Sequence, residues 1–184
     1  METRTIMNAF MRSDAPDEGD APQLKCRFAT FVGEYDMGYD CYERIDPHAF
    51  DDTIGDDIRI LFNHDTGFVL ARTAANTAAL SIVPEGVDGV VDINSEDRAA
   101  MDVYARVKRG DITGCSIGFD ILSERCERRE DGSALFTIEK IKLYECSVCT
   151  FPAYRDTSAA VRSTDPGARI RAFKYRMKER IANA

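Results

Sequence analysis

The chain has 184 residues, enough for one domain with a proper core and loose ends. Its hydrophobic content of 44% and charged content of 30% are those of an ordinary globular protein. The formal net charge of −8 argues against a general nucleic-acid binder, which needs clustered positive charge, and no stretch approaches the roughly 20 apolar residues of a membrane span.

Residues Met1 to Gln23 carry no apolar signal-peptide core, and Ser13 to Pro22 is acidic and rich in Pro and Gly. We therefore expect a flexible leader over 1–23 and a globular domain over 24–162. Beyond the breaker cluster Ser163 to Ala168 lies a basic tail, 163–184, in which Ile170, Phe173, Met177 and Ile181 would share one helical face. Six scattered cysteines (Cys26, Cys41, Cys115, Cys126, Cys146 and Cys149) read as reduced thiols of a cytoplasmic protein.

Within the domain, strand patterns dominate. Leu24 to Gly33, Asp57 to Phe62, Thr77 to Ile82, Gly89 to Ile93, Cys115 to Leu122, Ala134 to Ile141 and Leu143 to Thr150 are short β candidates. Turn chemistry separates them at Pro84-Glu85-Gly86, Val87-Asp88-Gly89 and Glu130 to Ser133. Two helices interrupt the run. Asp46-Pro47 has the look of a cap followed by proline, and Asn94 or Ser95 would cap a helix with Ala99, Ala100, Val103 and Val107 on one face, stopped by Gly110. The pattern predicts an α+β domain built on an antiparallel sheet or barrel.

Only two histidines are available for chemistry. His48 sits at a helix start and reads as an exposed polar residue, whereas His64 follows the apolar strand Ile58 to Phe62 where a loop begins. Gly114-Cys115-Ser116-Ile117-Gly118 spells the G-x-S-x-G hydrolase elbow. That motif requires a strand before it, a helix after it and a later histidine; here a helix precedes, a strand follows, and no histidine comes after residue 64. Read alone, Ser116 is equally a small residue in a strand that needs no bulk. Glu145 interrupts an apolar strand, a placement explained either by an edge facing water or by a buried carboxylate that accepts from an imidazole. Cys146 and Cys149 form one C-x-x-C, but their opposite parity on a strand points them to different faces, which disfavours a metal or redox site.

Four segments, Ile45 to Phe50, Phe62-Asn63-His64-Asp65, Cys115 to Phe119 and Glu145 to Ala153, together resemble the prohead (capsid-maturation) proteases of tailed bacteriophages, a family similar in fold to herpesvirus assemblin proteases. The resemblance runs in order from about Phe28 to Val161. It implies an antiparallel β-barrel with surrounding helices and a catalytic triad of His64, Ser116 and Glu145, with no cofactor or metal. It further implies a serine endopeptidase that cleaves scaffold and major capsid protein inside an assembling prohead in the bacterial cytoplasm, processes its own ends, and forms a homodimer. Nucleic acid and membrane are not expected partners. The rival reading is a catalytically silent β-barrel that binds scaffold or shell protein. Two departures stand out: His48 occupies a place where the family often has a small residue, and Thr66 to Thr73 replaces the usual P-x-G-R pattern, which bears on the cleft wall beside His64.

Overall fold

The computed structural model describes residues 2–6, 11–12, 22–151 and 177–181. Eleven strands lie in these segments: β1 (Glu2–Ile6), β2 (Met11–Arg12), β3 (Gln23–Thr30), β4 (Tyr35–Gly38), β5 (Cys41–Ile45), β6 (Arg59–Phe62), β7 (Asp65–Arg72), β8 (Ala78–Val83), β9 (Gly86–Asp92), β10 (Gly114–Arg128) and β11 (Ala134–Cys149). One α-helix, α1 (Arg98–Arg109), and 3-10 turns at Pro47–Phe50 and Thr73–Ala75 complete the described path from 22 to 151.

Two sheets result. The larger has seven strands in the order β1-β10-β11-β5-β4, with β6 also on β11 and β7 on β6; the smaller runs β2-β3-β9-β8. Among the described residues neither closes, so the expected barrel is corrected to two open, mainly antiparallel sheets. The reason lies in β11, whose far edge is shared by two short parallel partners, β5 along its first half and β6 along its last. Each leads outward to an antiparallel neighbour, β4 or β7, and the sheet forks instead of curling back on itself.

The sheets face each other across one apolar cluster. Phe28 and Leu24 from β3, Val87 and Val91 from β9, Ile60 from β6, and Cys115, Ile117 and Phe119 from β10 are all buried there. Ala100, Val103, Tyr104 and Val107 of α1 close the same cluster, while Ala99 is exposed. The helix begins two or three residues later than expected. Asp97 is the cap, accepting from the Ala99 and Ala100 amides, and Asn94 instead accepts from the Glu96 amide before it. Gly110, at φ 87°, ends the helix as expected.

Other expectations shift for identifiable reasons. Val87-Asp88-Gly89 is not a turn but the middle of β9, where Gly89 has no Cβ because one would meet the Phe28 ring and Leu80. The hairpin turn is Pro84-Glu85 alone. Residues 134–149 form one continuous strand rather than two. Segments β1 and β2, inside the stretch expected to be a leader, pair with β10 and β3 respectively.

At the other end, residues 177–181 are helical and Arg180 is largely buried, at 12% side-chain exposure, against Glu43 at 2.6 Å and Glu124 at 2.5 Å. Its guanidinium also lies 4.5 Å over the Phe136 ring. The rest of the expected tail helix lies outside the described residues, as do Pro152 and Ala153 of the family-like segment.

Candidate functional site

The site is assembled on the face of the larger sheet opposite the apolar cluster. Along β10 the residues alternate, with Cys115 and Ile117 entering the core and Ser116 pointing the other way. Ser116 is paired in register with Ser147 of β11 on one side and with Thr5 of β1 on the other. Directly paired residues sit with Cβ atoms about 5 Å apart and diagonal ones about 7–8 Å. Ser147 is thus the nearest β11 neighbour of Ser116, and Glu145 and Cys149 are the diagonal ones.

Glu145 reaches this face through a bulge. Between Gly118↔Glu145 and Phe119↔Leu143 β10 advances one residue and β11 two, which leaves Tyr144 extra. Without the bulge, Glu145 would share the core-facing side of Leu143; with it, Leu143 stays in the core while Glu145 turns to the face of Ser147 and Cys149. Gly118 opposite makes room for it, since a Cβ there would lie 3.0 Å from Glu145 Cδ and closer still to Oε1.

His64 arrives over the same face from a tight hairpin. Phe62 pairs with Asp65, so Asn63 and His64 are the two turn residues, with φ of 53° and 60°. Positive φ at both positions is the pattern of a type I′ turn, which matches the strand twist. Asn accepts the left-handed region readily, and His more readily than most side chains. The turn is tied down by Asn63 N–H to the Val148 carbonyl at 2.9 Å and by the Thr150 amide to Asn63 Oδ1 at 2.8 Å.

The imidazole Nδ1 lies 2.7 Å from Glu145 Oε1, and Nε2 lies 3.7 Å from Cys149 Sγ. The second carboxylate oxygen, Oε2, accepts from Ser147 Oγ at 2.6 Å. Glu145 is almost fully buried, and the His64 side chain keeps 24% of its surface exposed. A buried carboxylate with both oxygens occupied, one of them by an imidazole, is the arrangement that orients a histidine and stabilises its protonated form. The other carboxylates near His64 or Ser116 in sequence are engaged elsewhere: Asp65 accepts from the Gly67 amide, and Asp111 pairs with Arg109.

The thiols around the site are poor nucleophiles. Burial, with the charge of Glu145, pushes the Cys149 thiol up to about 12. Cys115 is raised well above the ordinary thiol value by its hydrogen bond with Cys26 and by burial, and it faces the core. Cys146 is in the core and Cys149 in the site, the opposite faces that their spacing requires. His48 is exposed, and its Nδ1 lies 3.0 Å from Oδ2 of its neighbour Asp51. Among the described residues, no group of three or more His, Cys, Asp or Glu is arranged to hold a metal ion, and no helix is long and apolar enough to cross a membrane.

Beside Glu145 opens a cleft of about 520 Å³, lined among others by Leu61, Thr66, Val69 and Tyr144. Thr66 and Val69 belong to the segment in place of P-x-G-R, which forms β7, a strand that sequence reasoning took for loop.

The sequence profile of the caudovirus prohead serine protease family matches residues 13–169. The chain belongs to that family. Membership indicates a serine protease with a role in capsid maturation. No curated protein and no solved structure matches the chain. Of the residues that the family resemblance singled out, the structure joins His64 to Glu145 by a hydrogen bond and puts Ser116 on their face, fully buried. Sequence reasoning missed Ser147 and Cys149 as members of the site. The period-two series Glu145, Ser147, Cys149 was the signal for both.

Proposed function

We propose that the chain is a serine endopeptidase that cleaves scaffold and major capsid protein within the assembling prohead in the host cytoplasm, with Ser116 as nucleophile, His64 as general base and Glu145 as the orienting acid. The observation that carries this reading is the 2.7 Å contact between His64 Nδ1 and buried Glu145, on the face of Ser116, in a chain of the prohead serine protease family. A homodimer and processing of the chain's own ends belong to the same reading.

The chemistry follows from the atoms. With Nδ1–H donated to Glu145, the neutral imidazole presents Nε2 as an acceptor. Ser116 Oγ attacks the peptide carbonyl while its proton passes to Nε2, and Glu145 stabilises the imidazolium. Nε2 then returns the proton to the leaving amine, and water repeats the sequence on the acyl-enzyme. The thiol that rests on Nε2 at 3.7 Å is a weak donor and yields to a hydroxyl. Ser116 has no exposed surface, so turnover requires this face to be uncovered for substrate.

Incubation with a serine-directed phosphonate, followed by mass spectrometry, tests the reading. The expected adduct is on Ser116, and Ser116→Ala should lower turnover about a million-fold without loss of fold. A chain that binds scaffold or shell protein but takes no label and cleaves nothing would be the silent homologue instead.

A further inference from the structure

We propose that Ser147 is a positioning residue of this site, whose hydroxyl fixes the Glu145 carboxylate and the His64 backbone in one geometry. The inference rests on the catalytic reading of His64, Ser116 and Glu145 given above.

Ser147 has no exposed surface, so water cannot substitute for its partners. Its single hydroxyl proton goes to Glu145 Oε2 at 2.6 Å, a charge-assisted bond to a carboxylate. The oxygen then accepts the His64 backbone N–H at 3.1 Å. Donor and acceptor roles are both assigned by these partners, since an amide can only donate and a carboxylate only accept.

The amide in question belongs to a left-handed residue. A non-glycine side chain at φ 60° persists where its surroundings over-determine it, and the Ser147 bond is one of the ties that do so. One hydroxyl therefore reaches the acid directly and the base through its main chain. Because Glu145 Oε1 meets His64 Nδ1, the three groups form a closed ring: Ser147 to Glu145, Glu145 to the imidazole, and His64 N–H back to Ser147. Loss of Ser147 removes two of the three bonds and leaves the carboxylate and the imidazole held only to each other.

Ser147 is not an alternative nucleophile in this arrangement. Its proton is committed to Glu145, on the Nδ1 side of the ring, whereas proton transfer needs Nε2.

The test is a double-mutant cycle on the full chain, read both as peptide turnover and as the rate of Ser116 phosphonylation. Ser147→Ala should lower kcat about 10–100-fold, the effect of an ångström-scale misplacement, with KM changed less than threefold. In a Glu145→Gln background the same substitution should cost several-fold less than in the parent chain, because the charge it positions is already gone and only its tie to the His64 amide remains. Ser147→Cys, which keeps the shape but bonds weakly, should resemble Ser147→Ala and serves if the alanine variant fails to fold. The proposal is overturned if either variant, folded, keeps activity within twofold of the parent chain. It is equally overturned if the loss is as large in the Glu145→Gln background. An adduct on Ser147 or Cys149 in the unmutated chain would instead overturn the Ser116 assignment, and would be seen before the cycle is run.

Discussion

Gly118 and Glu145 face each other across β10 and β11, and the carboxylate occupies the space that a Cβ at Gly118 would need. The backbone of Gly118 is not in the left-handed region, so the requirement is for volume alone. Gly118→Ala should therefore displace Glu145 from His64. We expect a fall in kcat of about a hundred-fold with the fold retained, measured by peptide turnover beside circular dichroism. Full activity in this variant would show that the carboxylate can sit elsewhere and still serve.

Glu145, rather than Asp65 or Asp111, should behave as the acid. Glu145→Gln keeps the shape and loses the charge, and is expected to lower turnover about ten-thousand-fold while Ser116 still takes a phosphonate slowly. Asp65→Asn and Asp111→Asn should stay within a few-fold of the parent chain, since their carboxylates hold a local amide and a neighbouring arginine. The reverse ranking would move the acid away from Glu145.

The Cys149 thiol, at about 12, should be protonated throughout the neutral range. At pH 8 its thiolate fraction is on the order of one in ten thousand, so iodoacetamide should leave it unmodified in the native chain and label it in denaturant. The sign for stability follows. The folded value lies above that of an unfolded thiol, so this contribution to stability is complete below about pH 9 and is lost as pH rises towards 12. Thermal unfolding at alkaline pH should show the decline, and Cys149→Ala should make it shallower. Rapid native labelling at pH 8 would contradict the buried placement.

Arg180 should anchor helix 177–181. Burial alone would push its pKa down, but hydrogen bonds and charge from Glu124 and Glu43 raise it. Arg180→Ala leaves one buried carboxylate, Glu43, and one partly buried, Glu124, without their cation, which should cost about 3 kcal/mol, or roughly 10 °C in melting temperature for a chain of this size. A shift of under about 2 °C in scanning calorimetry would mean that the helix does not stay docked in solution.

Much of this molecule was legible in its residues. Period-two patterns marked β3, β6 and most of β8 to β11, and the Glu130 to Ser133 turn was evident from its chemistry, with Gly132 at φ 85°. Parity alone separated Cys146 from Cys149, and an apolar strand interrupted by Glu145 raised the question of an imidazole partner before any partner was visible. These are properties of neighbouring residues, and local sterics and side-chain alternation fix them wherever the strand ends up.

The rest depended on contacts between distant segments. Strand β7 looked like loop because its pattern is weak, and it forms because β6 offers an edge beyond a type I′ turn. Strands β5 and β6 lie parallel on one edge of β11, a choice that no local pattern encodes and the reason that no barrel closes. The bulge at Tyr144 is also a matter of register between two strands, and it alone decides that Glu145 leaves the core side and meets His64. The sequence by itself thus determined which side chains were available and on which short strands they lay. Only the tertiary structure decided which of them share a face, because strand pairing and register are set by burial summed over both sheets and not by any one segment.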